Sequence, residues 1–272
     1  MKGKKYMKIK FNLETILGLL CGLTFAIFAW GYDAFELAKA NAALPWLKFF
    51  LGLIPSLILG GIAGWLTMKI NNLFLRMIFW IIVAVLFSYL TSYVSFTVTP
   101  YFTRLIDPVM GEHILFNQTR AITARRFITM VMMIIFLFIA GLTFENACDS
   151  IRNSRGVVGM VFSTIFLIAF FGGAGYTADS NFNSELRAPI LALDERLDYV
   201  ATVDPSTLTD FEQRALRRYT KLDVDFSGDR RLLLSTFDQY LTQVEVLVDF
   251  GGDLAICNVI NGHASTCSMV EP

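Results

Sequence analysis

The chain of 272 residues is 55% hydrophobic and 14% aromatic, with only 17% charged residues, a composition too apolar for an ordinary soluble domain. Its 23 basic and 23 acidic residues cancel, and no basic region carries a nucleic-acid-reading motif, which argues against a nucleic-acid partner. Four cysteines are too few for a disulfide-dense scaffold.

In chain order, residues 1–12 form a basic N-terminus, "MKGKKYMKIK" with its short continuation. Five apolar runs follow that reach the roughly 20 residues a membrane-crossing helix needs. They lie at about 13–30, 46–68, 75–96, 127–144 and 156–176, so residues 13–176 read as a five-helix membrane domain. The first is not a cleavable signal peptide, because "AWGYDAFELAK" offers no small-x-small site before charges resume.

Orientation follows from Lys and Arg in the short loops. A cytoplasmic N-terminus places nine of them inside (Lys2, Lys4, Lys5, Lys8, Lys10, Lys69, Arg76, Arg152 and Arg155). Six then lie outside, at Lys39, Lys48, Arg104, Arg120, Arg125 and Arg126. The Arg125–Arg126 pair opposes this arrangement, but the first span usually dominates, and the expectation is a cytoplasmic N-terminus with the C-terminal part extracytoplasmic.

Small residues recur every four positions in the spans, at Gly18, Gly22 and Ala26, at Gly52, Ser56, Gly60 and Gly64, and at Ala84, Ser88 and Ser92. Such stripes lie on one helix face and let backbones approach closely. Gly18, Gly22, Gly52, Ser56, Gly60 and Gly64 are therefore assigned to helix packing, within the chain or at a homo-oligomer seam. Pro55 should kink the second span, with Ser56 a candidate partner for the freed carbonyl. The span centres hold no Asp, Glu, Lys, Arg or His, so proton relays and voltage sensing have no residues to use there. Ser88, Thr91, Ser92, Ser95 and Thr99 give the third span a hydroxyl face, suited to interhelical hydrogen bonds or to a pore shared between protomers.

The loop "TVTPYFTRLIDPVMGEHILFNQTRAITARR" mixes charges with Tyr101, Phe102, Leu105, Ile106, Ile114, Leu115 and Phe116. That suits a segment lying at the interface or docked under the C-terminal domain. Asn117 in "NQT" has the form of a glycosylation acceptor.

Residues 177–272 read as a small acidic domain, with 16 acids and 8 bases from Asp179 onward. Leu186, Ile190, Leu193, Leu197 and Val200 share one face of an amphipathic helix beginning near Pro189. Thr209 and Glu212 form a capping box ahead of Phe211, Ala215, Tyr219 and Leu222. A third helix is expected from an N-cap at Ser227, through Leu233, Phe237, Tyr240, Leu241, Val244 and Leu247, to Gly251–Gly252. A β-hairpin around Asn261–Gly262 closes the chain. The fold class is thus an all-α polytopic membrane protein with a small extracytoplasmic helical domain ending in a disulfide-closed hairpin.

Chemistry is sparse. "DVDFSGD" opens like a calcium loop through Asp223, Asp225, Ser227 and Asp229, but Leu234 stands where the bidentate Glu is needed. His113 and His263 have no evident shared partner, and no nucleophile elbow, phosphate cradle or zinc motif is present. Catalytic, metal and cofactor sites are accordingly expected to be none. Cys257 and Cys267 are expected to pair in the oxidising compartment. A two-residue turn would leave them out of register, so a three-residue loop or a bulge is required.

The leading functional expectation is a non-enzymatic interaction or assembly protein in the cell or plasma membrane. Its partners would be membrane lipids together with other membrane or extracytoplasmic proteins, or further copies of itself. The alternative is an oligomeric channel or transporter component. A third reading is an extracytoplasmic or lipid-acting membrane enzyme.

Overall fold

The computed structural model describes residues 12–114, 124–152, 156–210, 212–213, 222, 224–237 and 242–270. The Asn117 sequon, Asp223 and the body of the helix expected after Glu212 lie outside these residues.

Among the described residues, five helices are long and apolar enough to cross a membrane: Leu13–Lys39, Leu47–Thr67, Leu73–Ile106, Met130–Arg152 and Val158–Thr202. Their apolar composition drives them into one bundle around Phe25, Trp30, Trp80, Phe87, Phe144 and Phe171, all fully buried. Three run on well past the apolar stretches that the sequence marks. The first is α1 (Leu13–Ala26), a π-helical turn (Ile27–Gly31) and α2 (Tyr32–Lys39). The second span is α3 (Leu47–Thr67), and the third is α4 (Leu73–Tyr93), a π turn (Val94–Val98) and α5 (Thr99–Ile106). After the short α6 (Pro108–Gly111) comes α7 (Ala124–Arg152). The last is α8 (Gly156–Ala178), a π turn (Asp179–Asn183) and α9 (Ser184–Thr202). At 1.5 Å per residue the 34-residue and 45-residue helices measure about 51 and 67 Å, well beyond a ~30 Å hydrocarbon core.

The small-residue stripes meet each other. A methyl added at Gly18 would collide with the Gly60 carbonyl oxygen, and one at Gly60 with that of Gly18. Gly22 faces the Ser56 carbonyl and Gly64 that of Glu14. The α1–α3 seam is therefore backbone against backbone, with glycine Cα–H groups aimed at carbonyl oxygens. Gly52 has a different job, since the Trp30 ring lies on its Cα, as the Trp80 ring lies on Gly141. Pro55 sits inside α3, but Ser56 does not serve it. The Ser56 hydroxyl is fully buried without a hydrogen-bond partner, and its role is to be small. The hydroxyl face of α4 likewise turns inward. Thr91 donates to its own helix at Phe87 O (2.9 Å), Ser88 has no partner, and only Ser95 reaches another helix.

The C-terminal region departs from the all-helical expectation. Residues expected to form a third amphipathic helix instead make two strands, β1 (Arg231–Phe237) and β2 (Gln243–Asp249). With β3 (Leu254–Ile260) and β4 (His263–Met269) they form an antiparallel sheet in the order β1-β2-β3-β4. The i, i+4 apolar positions that suggested a helix are real, but the alternation Val244, Val246, Val248 is the stronger signal. Those three β-branched side chains point one way only in a strand, where their χ1 stiffness costs nothing. All three are buried together with Leu232, Leu234 and Phe237. Ser227 accordingly caps no helix; its N–H and hydroxyl both donate to the Asp225 carboxylate, at 2.9 and 2.6 Å. Gly251 and Gly252 turn the chain between β2 and β3 at φ of 77° and 121°.

The face Leu186, Ile190, Leu193, Leu197, Val200 of α9 is buried against this sheet. Pro189 falls inside the helix rather than at its start, because the helix arrives continuous from α8. The capping box forms, with Thr209 N–H donating to Glu212 at 2.9 Å and Glu212 N–H to Thr209 Oγ1 at 3.4 Å.

The seam yields a paired prediction. Gly60→Ala places a methyl in the Gly18 carbonyl and should destabilise the detergent-solubilised protein by about 1–3 kcal/mol, the usual overpacking range. Gly159→Ala, where a methyl meets nothing within 4 Å, should be neutral or slightly stabilising. Equal melting temperatures for the two variants would refute the seam.

Candidate functional site

Two polar layers bound the apolar bundle. On the side away from the sheet, Arg152 pairs with Glu14, and Arg76 pairs with Glu145 while also donating to Ile70 O at 2.9 and 3.2 Å. On the sheet side, Asp33 of α2, Lys48 of α3, and Asp179, Asn183 and Arg187 of the last helix converge. From Glu14 to Asp33 the helix rises about 28 Å, close to one hydrocarbon thickness. Trp46 and Trp65, both partly exposed, stand a similar rise apart on α3, as interfacial tryptophans do.

The sheet-side cluster is nearly water-free, with side chains of Asp33, Asp179, Arg187 and Lys48 exposed by 1, 3, 8 and 12%. Lys48 Nζ donates to Asp33 Oδ2 at 2.7 Å and to Asn183 Oδ1 at 3.4 Å. The Arg187 guanidinium bridges the two acids, donating to Asp33 Oδ1 at 2.9 Å and to Asp179 at 3.3 and 3.4 Å. It also lies 5.0 Å from the centre of the Tyr32 ring. Asn183 ties the group to the helices, accepting from Ser95 Oγ at 3.0 Å and donating to Ala29 O at 2.6 Å. Ala29, Ser95, Asp179 and Asn183 all belong to the three π turns. A π turn takes one carbonyl out of the regular i→i−4 ladder, and such turns concentrate at functional positions. Two acids against two bases leave the cluster formally neutral, as burial demands.

Above it lies a cleft of about 70 Å³. Its lining combines apolar side chains, Leu186 and Ile190 of α9 and Leu232 and Leu234 of β1, with Lys48, Arg187, Ser95, Thr99 and Thr103. Its rim is the loop between α2 and α3, which pairs with β1. Leu232 N–H donates to Asn41 O at 3.0 Å and Ala43 N–H to Leu232 O at 2.7 Å. Asn41 and Leu44 hold positive φ of 49° and 50° there, a strained conformation for a leucine.

Further ties bind the sheet to the rest. Arg231 donates to Asp107 at 2.8 Å and to Asp249 at 2.5 Å, and Ser235 donates to His113 O at 2.5 Å. The segment after α5 thus docks against β1, while Tyr101, Leu105 and Ile106 remain exposed. Arg230 joins α9 through Asp194 at 2.7 Å and through Asp198. Burial pushes the Asp249 carboxyl up, but the Arg231 guanidinium and the Gly252 N–H outweigh it and hold the group below its ordinary range.

Of the residues singled out in sequence, Cys257 and Cys267 form a disulfide between β3 and β4. The turn is the two-residue Asn261–Gly262, with Ile260 opposite His263. The register is corrected by a bulge, since Val259 faces Ala264 and Asn258 faces Thr266, leaving Ser265 as the extra residue. His113 follows α6 and His263 opens β4, so the two share no element. Among the described residues no three His, Cys, Asp or Glu side chains group as metal ligands. The cluster itself was missed in sequence because its members sit at or beyond the ends of the apolar runs, where a charge reads as a loop residue. The signal available was Asp179 and Arg187, two turns apart on what proves to be one continuous helix.

No protein-family model matches the chain, and no curated protein or solved structure matches it.

Two outcomes follow. Arg187→Met leaves two buried carboxylates against one lysine and should cost about 3–5 kcal/mol, read as a large fall in melting temperature or loss of folded protein. Asp33→Asn, which keeps shape and removes one charge from a neutral set, should also destabilise. A melting temperature unchanged in both variants would remove the cluster from the stability argument. For Asp249, a depressed folded-state pKa means the Arg231 bridge supports the sheet at neutral pH. That support is lost only as pH falls below about 4, through the folded value. With Arg231 half exposed, Asp249→Asn should remove no more than about 1 kcal/mol of acid-sensitive stability, measurable by melting at pH 7 and pH 3.

Proposed function

We propose that the protein is an integral membrane assembly factor whose sheet domain and acidic surface bind a partner outside the cytoplasm. The observation that carries this reading is mechanical. The sheet packs on α9, which is continuous with a candidate span, and the buried Asp33–Lys48–Asp179–Arg187 set locks α2, α3 and α9 at its base. A surface so fixed to the membrane is presented in one orientation, which cuts the ordering cost of binding. The excess of acids from Asp179 onward favours a basic partner through long-range steering. A cytoplasmic N-terminus is supported by the nine-to-six loop bias and by the Cys257–Cys267 bond, which persists in oxidising compartments. Burial of Ser88, Thr91 and Ser95 inside one bundle, with Ser92 and Thr99 partly buried, favours interhelical packing over a pore for that face.

Gentle solubilisation of native membranes should recover the protein with a stoichiometric partner, whose release rises with salt. Recovery as a lone protein, at any salt, would overturn the proposal. Non-reducing peptide mapping should find Cys257 joined to Cys267; free thiols on both would reverse the orientation.

A further inference from the structure

We propose that the cleft above the charged cluster binds an amphiphile with an acidic head and an acyl chain. Three features of its lining point to that chemistry. First, among the described residues the lining includes Lys48 and Arg187 but neither of their counter-ions, Asp33 and Asp179. Lys48 carries three N–H groups, of which two are engaged by Asp33 and Asn183, and the Arg187 Nε–H has no acceptor among the described residues. The hydroxyl hydrogens of Thr99 and Thr103 are committed to the carbonyls of Val94 and Thr99, and that of Ser95 to Asn183. Among the described lining side chains the unspent hydrogen-bonding hydrogens are therefore cationic N–H groups, which suit a carboxylate or a phosphate.

Second, much of the remaining lining is hydrocarbon, from Leu186, Ile190, Leu232 and Leu234. A fully polar anion would strand that surface, whereas a head group followed by methylenes covers both kinds of lining. Size limits how much enters. The cleft of about 70 Å³ is roughly half the ~150 Å³ of an apolar cavity that accommodates benzene. It takes the head and the first few carbons, and the rest of the chain must leave by the rim.

Third, the rim opens where a chain could continue. Its partly buried residues are Ala42, Ala43, Leu44, Pro45 and Thr99. They adjoin Trp46, which is 43% exposed at the head of α3, the position where tryptophan marks a membrane interface. The strained αL backbone of Leu44 shapes this lip, and strain of that kind collects at ligand clamps. This inference stands independently of the partner-binding reading, since it needs neither a protein partner nor a particular orientation.

The test uses the full chain in phosphatidylcholine nanodiscs, with decanoate, decanol and decylammonium as probes. Decanoate should raise the melting temperature in a saturable manner, with decanol weaker and decylammonium inert. Equal shifts from all three would overturn the proposal. Phosphatidylglycerol, substituted for part of the phosphatidylcholine, separates a bilayer lipid from a free acid as the source. A shift with either supports the acidic-head assignment, and a shift with neither overturns it. Ala43→Phe fills the rim and should weaken binding about tenfold or more, as added bulk in a close-packed site does; undiminished binding would overturn it. Should that variant fail to fold, a diazirine-bearing decanoate should label peptides containing Ala42–Pro45 or Leu232–Leu234 in the unaltered protein. Labelling confined to the span interiors would overturn it instead.

Discussion

The buried quartet of Asp33, Lys48, Asp179 and Arg187 sets the terms for the rest of the molecule. A charge removed from water is tolerated only beside its opposite, with its remaining hydrogen-bonding groups satisfied. That requirement fixes the angular position of three helices at once, because α2, α3 and α9 must all present a charged group to the same small volume. The π turns at Ile27–Gly31, Val94–Val98 and Asp179–Asn183 supply the adjustment. Each widens one turn, shifting the helix face beyond it relative to the face below. A helix can thereby be apolar to lipid along its span and still aim Asp33 or Arg187 inward past it. The sheet domain inherits its position from this arrangement, since α9 reaches the sheet without leaving helical geometry.

The glycine seam plays the complementary part deeper in the bundle. Helices that meet backbone to backbone at Gly18, Gly22, Gly60 and Gly64 gain close packing without any hydrophobic driving force, which lipid does not provide. The same economy seats the two largest rings, Trp30 on Gly52 and Trp80 on Gly141. With α1 drawn against α3, Asp33 and Lys48 are brought to the same end of one helix pair. The seam and the ion cluster are therefore two ends of a single constraint.

How much of this was legible in sequence depends on the range of each signal. The spans, the four-residue stripes and the apolar face of α9 are local periodicities, and the structure contains each of them. The disulfide could be reasoned from the hairpin alone, together with the need for a three-residue loop or a bulge, although not the choice of the bulge or its position at Ser265. The strands β1 and β2 were misread as a helix because apolar residues at Leu233, Phe237, Val244 and Leu247 satisfy a helical spacing as well. The alternating valines, and not the count of apolar positions, carried the information. The charged cluster lay beyond reach for a different reason. Asp33 and Arg187 are 154 positions apart, and π turns have no period of their own to betray where two such residues will meet.

The short parallel bridge between Ala42 and Leu232 has a bearing on how the molecule comes into being. The loop that grips β1 is synthesised well before its partner strand. Closing a contact across so much chain carries a large entropic cost, and it cannot close until the last span has been laid beside the first. The helical bundle then offers a template on which the sheet is completed. A chain interrupted before β1 would leave the apolar face of α9 without the sheet that covers it.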